Sequence, residues 1–135
     1  MKYYLYVSLS IALLMGANKT SAQTEQSSDP NVVSGHFEIH VVSGTDTNHV
    51  NVNYAISPAP FTNIMNLELS TPNTIFFNAD ILDATNNVLV TWAPTAGSNY
   101  YSNNLDISSL PAGNYHVNIH RDNTTAILYS IPFTK

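Results

Sequence analysis

A proline turn followed two residues later by a tyrosine constrains this chain more than any other stretch. From Asn104 to Ile119 the sequence runs NLDISSLPAGNYHVNI. It reads as one alternating segment, a tight turn at Leu110-Pro111-Ala112-Gly113, and a second alternating segment opened by Tyr115. Pro111 suits the second position of a type I turn and Gly113 the fourth. A tyrosine just inside a strand after such a turn matches the tyrosine corner of Greek-key sandwiches, in which the hydroxyl ties the strand to the crossing backbone. The motif therefore predicts two sheets packed face to face, with Leu110, Pro111, Gly113 and Tyr115 defining the junction.

The rest of the chain repeats the same period. Strands are expected at His36–Val42 (Phe37, Ile39, Val41 inward), His49–Ile56 (Val50, Val52, Tyr54, Ile56), Ile64–Ser70 (Met65, Leu67, Leu69) and Thr74–Leu82 (Ile75, Phe77, Ala79, Ile81). Further strands are expected at Val88–Trp92 (Val88, Val90, Trp92), Asn104–Ser108 (Leu105, Ile107), Asn114–His120 (Tyr115, Val117, Ile119) and Thr125–Ile131 (Ile127, Tyr129, Ile131). Apolar residues at every second position require one face on a core and one in water. Thr71-Pro72-Asn73 reads as a turn, Ala93–Asn103 as a long loop, and Pro132 as the point where pairing stops, because proline cannot donate to a ladder. Asp83–Asn87 reads as a hairpin loop, with Asp83 bonding its own backbone and Asn86 tolerating a left-handed conformation. No window has a helical period. The expected class is all-β, a two-sheet β-sandwich of seven or eight antiparallel strands; a closed barrel is the rival, and the corner motif favours the sandwich.

Lys2, the uncharged run Tyr3–Met15 and the small residues Thr20-Ser21-Ala22 form a secretory signal pattern with a cut at Ala22/Gln23. The apolar run falls about five residues short of the ~20 that span a bilayer, so no membrane insertion is expected. The expected organisation is a signal peptide at 1–22, a flexible leader at 23–34 and the sandwich at 35–135. The chain has no cysteine, which excludes disulfides and a thiol-linked lipid anchor. After the signal, only Arg121 and Lys135 stand against nine carboxylates, leaving seven net negative charges. Two cations cannot neutralise a run of phosphates, which excludes nucleic acid as a partner.

Two segments carry a family resemblance. Ala79–Leu89 (ADILDATNNVL) is similar to V-x-I-x-D-x-x-G-x-x-V, and Leu105–Ile119 to L-x-I-S-x-L-P-x-G-x-Y-x-V-x-I. In this order they resemble small exported β-sandwich domains of Bacteroidetes. One branch is the C-terminal sorting domain of type IX secretion cargo; another is a family of short stand-alone secreted proteins of unknown function. The resemblance implies an immunoglobulin-like or fibronectin-III-like sandwich without a known activity. A sorting domain follows a large cargo, whereas fewer than fifty residues separate the expected signal peptide from the match. The usual opening Pro-Asn-Pro is absent, Ser57-Pro58-Ala59-Pro60 being a poor substitute, and the basic tail is reduced to Lys135. The stand-alone branch is therefore the closer likeness.

Candidate sites are few. His36, Glu38 and His40 share one face of the first strand, His116 and His120 one face of the seventh, and His49 heads the outward face of the second. Histidines two apart on a strand lie ~7 Å apart and can share a metal. Were the first and seventh strands neighbours, His36, Glu38, His40, His116 and His120 would form one patch. The sandwich pattern makes these faces solvated, so exposed histidines, no native metal and no cofactor are expected. Asn99, Tyr100 and Tyr101 combine aromatic faces with an amide in the long loop, the mix used for contact with a glycan or a protein. Trp92 and Phe77 are expected in the core. The carboxylates are scattered, no pair is set at glycosidase geometry, and no G-x-S-x-G elbow is present, so no enzyme is expected. The expected function is a secreted, periplasmic or cell-surface binding or structural module contacting a glycan or a surface protein. The alternative is a sorting or assembly module whose strand Thr125–Thr134 is recognised by type IX-like secretion or surface machinery, by strand addition.

Overall fold

The computed structural model describes residues 29–122 and 124–135, all strand, turn and loop, with no helix among them. The expected signal peptide and the first half of the leader lie outside these residues. Eight strands follow in order: β1 (Val33–Ser43), β2 (Asp46–Ser57), β3 (Ile64–Ile75), β4 (Phe77–Asp83), β5 (Val88–Trp92), β6 (Ser98–Asp106), β7 (Asn114–Arg121) and β8 (Ile127–Thr134). They form two four-stranded antiparallel sheets, ordered β1-β2-β3-β6 and β5-β4-β7-β8. The expected sandwich is thus the observed fold. The leader ends earlier than the sequence suggested, because Val33 and Ser34 already pair with Ile56 and Ala55.

The alternating residues build the core between the sheets. Phe37, Val52, Ile56 and Met65 come from the first sheet and Phe77, Ile81, Val117, Ile119 and Ile131 from the second, all fully enclosed. Burying each such side chain contributes about 1.5–3 kcal/mol. Phe37 stacks on Tyr129 across the layers at 4.9 Å, and Phe133 lies between Phe61 of the β2–β3 loop at 5.3 Å and its strand partner Tyr115 at 5.5 Å. Gly35 leaves room for the Tyr54 ring, since a Cβ there would meet the Tyr54 hydroxyl at 2.7 Å.

The corner forms as the sequence predicts. Tyr115 is buried and its hydroxyl donates to the Pro111 carbonyl at 2.6 Å, while Leu110 is buried beside it. The Asp83–Asn87 hairpin also follows expectation. Asp83 Oδ1 accepts from the Thr85 and Asn87 backbone N–H groups at 2.8 and 2.9 Å, and its Oδ2 accepts from Asn87 Nδ2 at 3.0 Å. Asn86 is left-handed at φ 66°, at the position where the resembled motif carries glycine.

Four local expectations are corrected, and register explains each. Thr71-Pro72-Asn73 is not a turn but part of β3: the pairing passes from Ser70↔Tyr100 to Ile75↔Ser98, so the proline sits in a bulge where no ladder donor is needed. The chain changes sheets at Phe76 instead, between Ile75 and Phe77. Ala93–Asn103 is mostly strand, because β6 begins at Ser98. Val88 and Ile127 point outward, 55% and 57% exposed. In each case a bulge skips one residue, Leu89 between Ile81↔Val90 and Leu82↔Val88, and Leu128 between Ile119↔Tyr129 and His120↔Ile127. One skipped residue inverts every side chain beyond it. Finally, pairing does not stop at Pro132. It continues through Tyr115↔Phe133 to Asn114↔Thr134, because β8 is an edge strand, where proline is tolerated.

Two measurements test this frame. Tyr115→Phe removes one hydrogen bond and leaves the Pro111 carbonyl without it, so the urea midpoint should fall by the equivalent of about 1–2 kcal/mol at unchanged slope; an unchanged midpoint would contradict the corner. The hydrogen bonds from Asn87, followed by those from Thr85, hold the Asp83 carboxyl far below the usual carboxylate range. Its contribution to stability is therefore complete above about pH 4, the ordinary value, and is lost only as the pH falls toward the depressed folded value. Carboxyl NMR at about pH 3 should find Asp83 still ionised where ordinary carboxylates have largely protonated.

Candidate functional site

The C-terminal end of the sandwich brings the corner and the last strand into one assembly. Ile131 and Phe133 of β8 enter the core. Beyond the strand, Lys135 and Gly113 exchange both backbone hydrogen bonds, each at 2.9 Å. The Lys135 ammonium then turns into the corner loop and donates to the carbonyls of Ile107 at 2.6 Å, Ser108 at 3.1 Å and Leu110 at 2.6 Å. An ammonium has three donors and no acceptor, so three converging carbonyls match it fully. Thr134 Oγ1 adds a bond to Asn114 Oδ1 at 2.9 Å. Asp106 closes the loop from the other side: its carboxyl is held below the ordinary range by hydrogen bonds from Ser108 and further by the Lys135 charge. Lys135 was legible in the sequence only as the remnant of a basic tail. Its role depends on where β8 ends relative to the corner, which the pattern does not encode.

On its other side β8 has no partner strand among the described residues. Its sequence ILYSIPFT carries no charge. Natural edge strands are usually blunted with charged residues, proline or bulges; β8 has no charge, one proline at Pro132 and the bulge at Leu128. The three rival edges differ, and β6, the other edge of the first sheet, ends on the charged Asp106. β1 presents His36, Glu38 and His40. β5 has five residues, and its Trp92, half-buried at the sheet margin, packs edge-on against Tyr101 of β6 at 5.1 Å. β8 is therefore the longer, uncharged and open edge of its sheet.

The histidines do not assemble as one patch, because β1 and β7 lie in different sheets. His120 is buried, not solvated: Nε2 lies 3.2 Å from Asp80 Oδ2 and Nδ1 3.2 Å from the Ala126 carbonyl. Asp80 in turn accepts from Thr91 Oγ1 at 2.7 Å. These groups, with Asn78 and Asn118, floor an open groove of about 470 Å³ walled by Val88 and Ile127. His116 lies 3.3 Å from Asn86 Oδ1 of the hairpin. His36 is half-buried opposite Asn53. Only Glu38 and His40 come together, and their third member is His49, directly opposite His40.

The loop candidates also separate. Asn99 and Tyr100 are exposed, Tyr100 at 54%, but Tyr101 is buried. The Tyr101 hydroxyl donates to the Ile75 carbonyl at 2.7 Å and accepts from the Ser98 N–H at 2.9 Å, tying together the pair at which β3 and β6 resume register after the bulge. Tyr101 is thus structural, and a contact surface at this place would rest on Asn99 and Tyr100. Strand geometry explains the split, since adjacent residues point to opposite faces.

The Lys135 clamp has a direct test. Lys135→Met keeps the aliphatic stem and removes the donors; stability should fall by about 1–2 kcal/mol, and the Asp106 carboxyl should titrate at higher pH than in the native chain. Urea unfolding and carboxyl NMR check both effects.

Comparison with family models gives one match, described as the secretion system C-terminal sorting domain, over residues 55–130. The match takes in the end of β2, all of β3–β7 with the hairpin and the corner, and the first half of β8. It falls on the sorting branch, not on the stand-alone branch that the sequence departures favoured. Curated proteins and solved structures gave no match. The matched segment covers more than half of the sequence, and the chain belongs to the secretion system C-terminal sorting domain family.

Proposed function

We propose that this sandwich acts as the sorting module of an exported protein, and that the open edge of β8 is the element the export or surface machinery docks on. The family match supports the sorting role, and the observation that carries the choice of surface is the uncharged, unpartnered edge from Ile127 to Thr134. An extended partner segment would add to that edge through main-chain hydrogen bonds, with its side chains reading the exposed Ser130 and Pro132 positions. Strand addition needs a rigid template. Phe133 in the core, the Gly113–Lys135 backbone pair and the Lys135 clamp supply it. The address in this reading is a folded edge, not an extended tail.

The reading is non-enzymatic. Asp83 is committed to its hairpin, and the His120 ring is buried against Asp80 and the Ala126 carbonyl. Contact with a glycan or surface protein through Asn99 and Tyr100 is the competing role, and it uses the opposite sheet from β8.

The two roles separate experimentally. Ser130→Lys with Pro132→Lys places charge on two exposed positions of the edge and leaves the core untouched. This variant should keep the native urea midpoint and lose delivery of the exported chain, read by immunoblot of periplasmic, surface and medium fractions. Asn99→Ala with Tyr100→Ala should be delivered normally. Normal delivery of the folded Lys variant would contradict the edge as the docking element.

A further inference from the structure

We propose that the outer face of the β1–β2 hairpin is a zinc-class metal site, with Glu38, His40 and His49 as its protein ligands and a fourth position open to water. The register puts the three groups together. His40 and His49 are directly opposed across the two strands, and Glu38, two residues before His40, projects from the same face. The imidazole centroids are 4.3 Å apart with planes inclined at 54°. One ligand atom from each of Glu38, His40 and His49 lies within 4.8 Å of the other two. Glu38 is 3.9 Å from His40 and in close contact with His49. Metal–ligand bonds of about 2.0–2.2 Å place the corners of a tetrahedron roughly 3.4 Å apart. Small side-chain rotations therefore convert the present spacing into a ligand set.

The donor chemistry selects the ion. Two imidazoles and one carboxylate with an open position are a zinc set. Calcium takes six to eight oxygens, and magnesium a near-ideal octahedron, neither of which one carboxylate supplies. A structural hydrogen bond between Glu38 and His49 would need only one histidine. It leaves unexplained why a second imidazole lies tilted beside the first on a solvated face. The backbone beneath the cluster is held firmly, because Phe37, Ile39 and Val50 on the reverse side of the same strands are buried at 0%, 4% and 4% exposure. That fixes the three Cα positions before any ion arrives, which is what a preorganised site needs. The mature chain's seven excess negative charges further favour a cation over an anion.

All three residues lie before residue 55, outside the segment that matches the sorting-domain family. The site is thus a property of this chain's own N-terminal hairpin and is independent of the sorting role. Its physical consequence is a staple between the edge strand β1 and its neighbour β2. Zinc bound to the folded hairpin stabilises the folded state by mass action.

The test uses the exported chain, purified without a histidine tag and stripped with chelator, titrated with Zn²⁺ by calorimetry. One ion should bind per chain with micromolar or tighter affinity and raise the melting temperature, and millimolar Mg²⁺ or Ca²⁺ should not displace it. His40→Ala, His49→Ala and Glu38→Gln should each weaken binding by more than about tenfold, the scale at which even supporting residues of metal sites act. His36→Ala and His116→Ala should leave it unchanged. The substituted side chains are at the surface, so the urea midpoint without metal serves as the folding control. No binding, or binding equally strong in a folded His40→Ala/His49→Ala double variant, would overturn the site.

Discussion

The Tyr115 hydroxyl and the Lys135 ammonium both end on backbone carbonyls of the same turn, and the arrangement of the second sheet depends on that convergence. Tyr115 opens β7 and bonds back to Pro111; Lys135 follows β8 and bonds to Ile107, Ser108 and Leu110. The turn that links β6 of one sheet to β7 of the other is thereby tied to the last strand in the chain. The Ile107 carbonyl also accepts from the Leu110 N–H at 3.1 Å, so the ammonium adds to a turn that is already hydrogen-bonded. The corner thus does more than reverse the chain. It fixes the end of β8, and with it the only long uncharged edge of that sheet.

Much of this was legible in the sequence. Period-two alternation located eight strands, and the buried residues from Phe37 to Ile119 fall largely on the faces it assigned, because an apolar face has one place to go. The corner was legible because its chemistry is local: proline, glycine and tyrosine within five positions. Asn86 was legible for the same reason. The failures are all non-local. Pro72 reads alone as part of a turn and Pro132 as a stop to pairing, yet one lies in a bulge and the other on an edge, and only the pairing reveals that neither has a ladder bond to lose. Val88 and Ile127 have the expected apolar character and the wrong orientation, because a single skipped residue before each reverses its face. His120, read as solvated, is enclosed between Asp80 and Ala126, a contact set by which strands neighbour β7.

The candidate site was less legible than the fold. Edge strands, open or covered, are a product of strand order, which alternation does not contain. The histidines show the limit most clearly. The sequence marked His36, Glu38 and His40 together with His116 and His120; topology disperses that set and substitutes His49, which pairs across the hairpin. The chain therefore divides by role. The matched segment carries β3–β7 and the corner, and the β1–β2 hairpin before it completes the first sheet and brings Glu38, His40 and His49 together.

The central claim is that the C-terminal end of β8 is locked to the corner as firmly as the core itself. Amide hydrogen exchange at Gly113 and Lys135, followed by NMR, tests it most directly. Their N–H groups bond to each other's carbonyls at 2.9 Å, so both should exchange only through global unfolding, with the same protection as Val117 and Ile119 in β7. Rapid exchange at Gly113 and Lys135 beside a protected β7 would mean that the last strand frays independently of the corner, and the account of β8 as a rigid docking edge would fail.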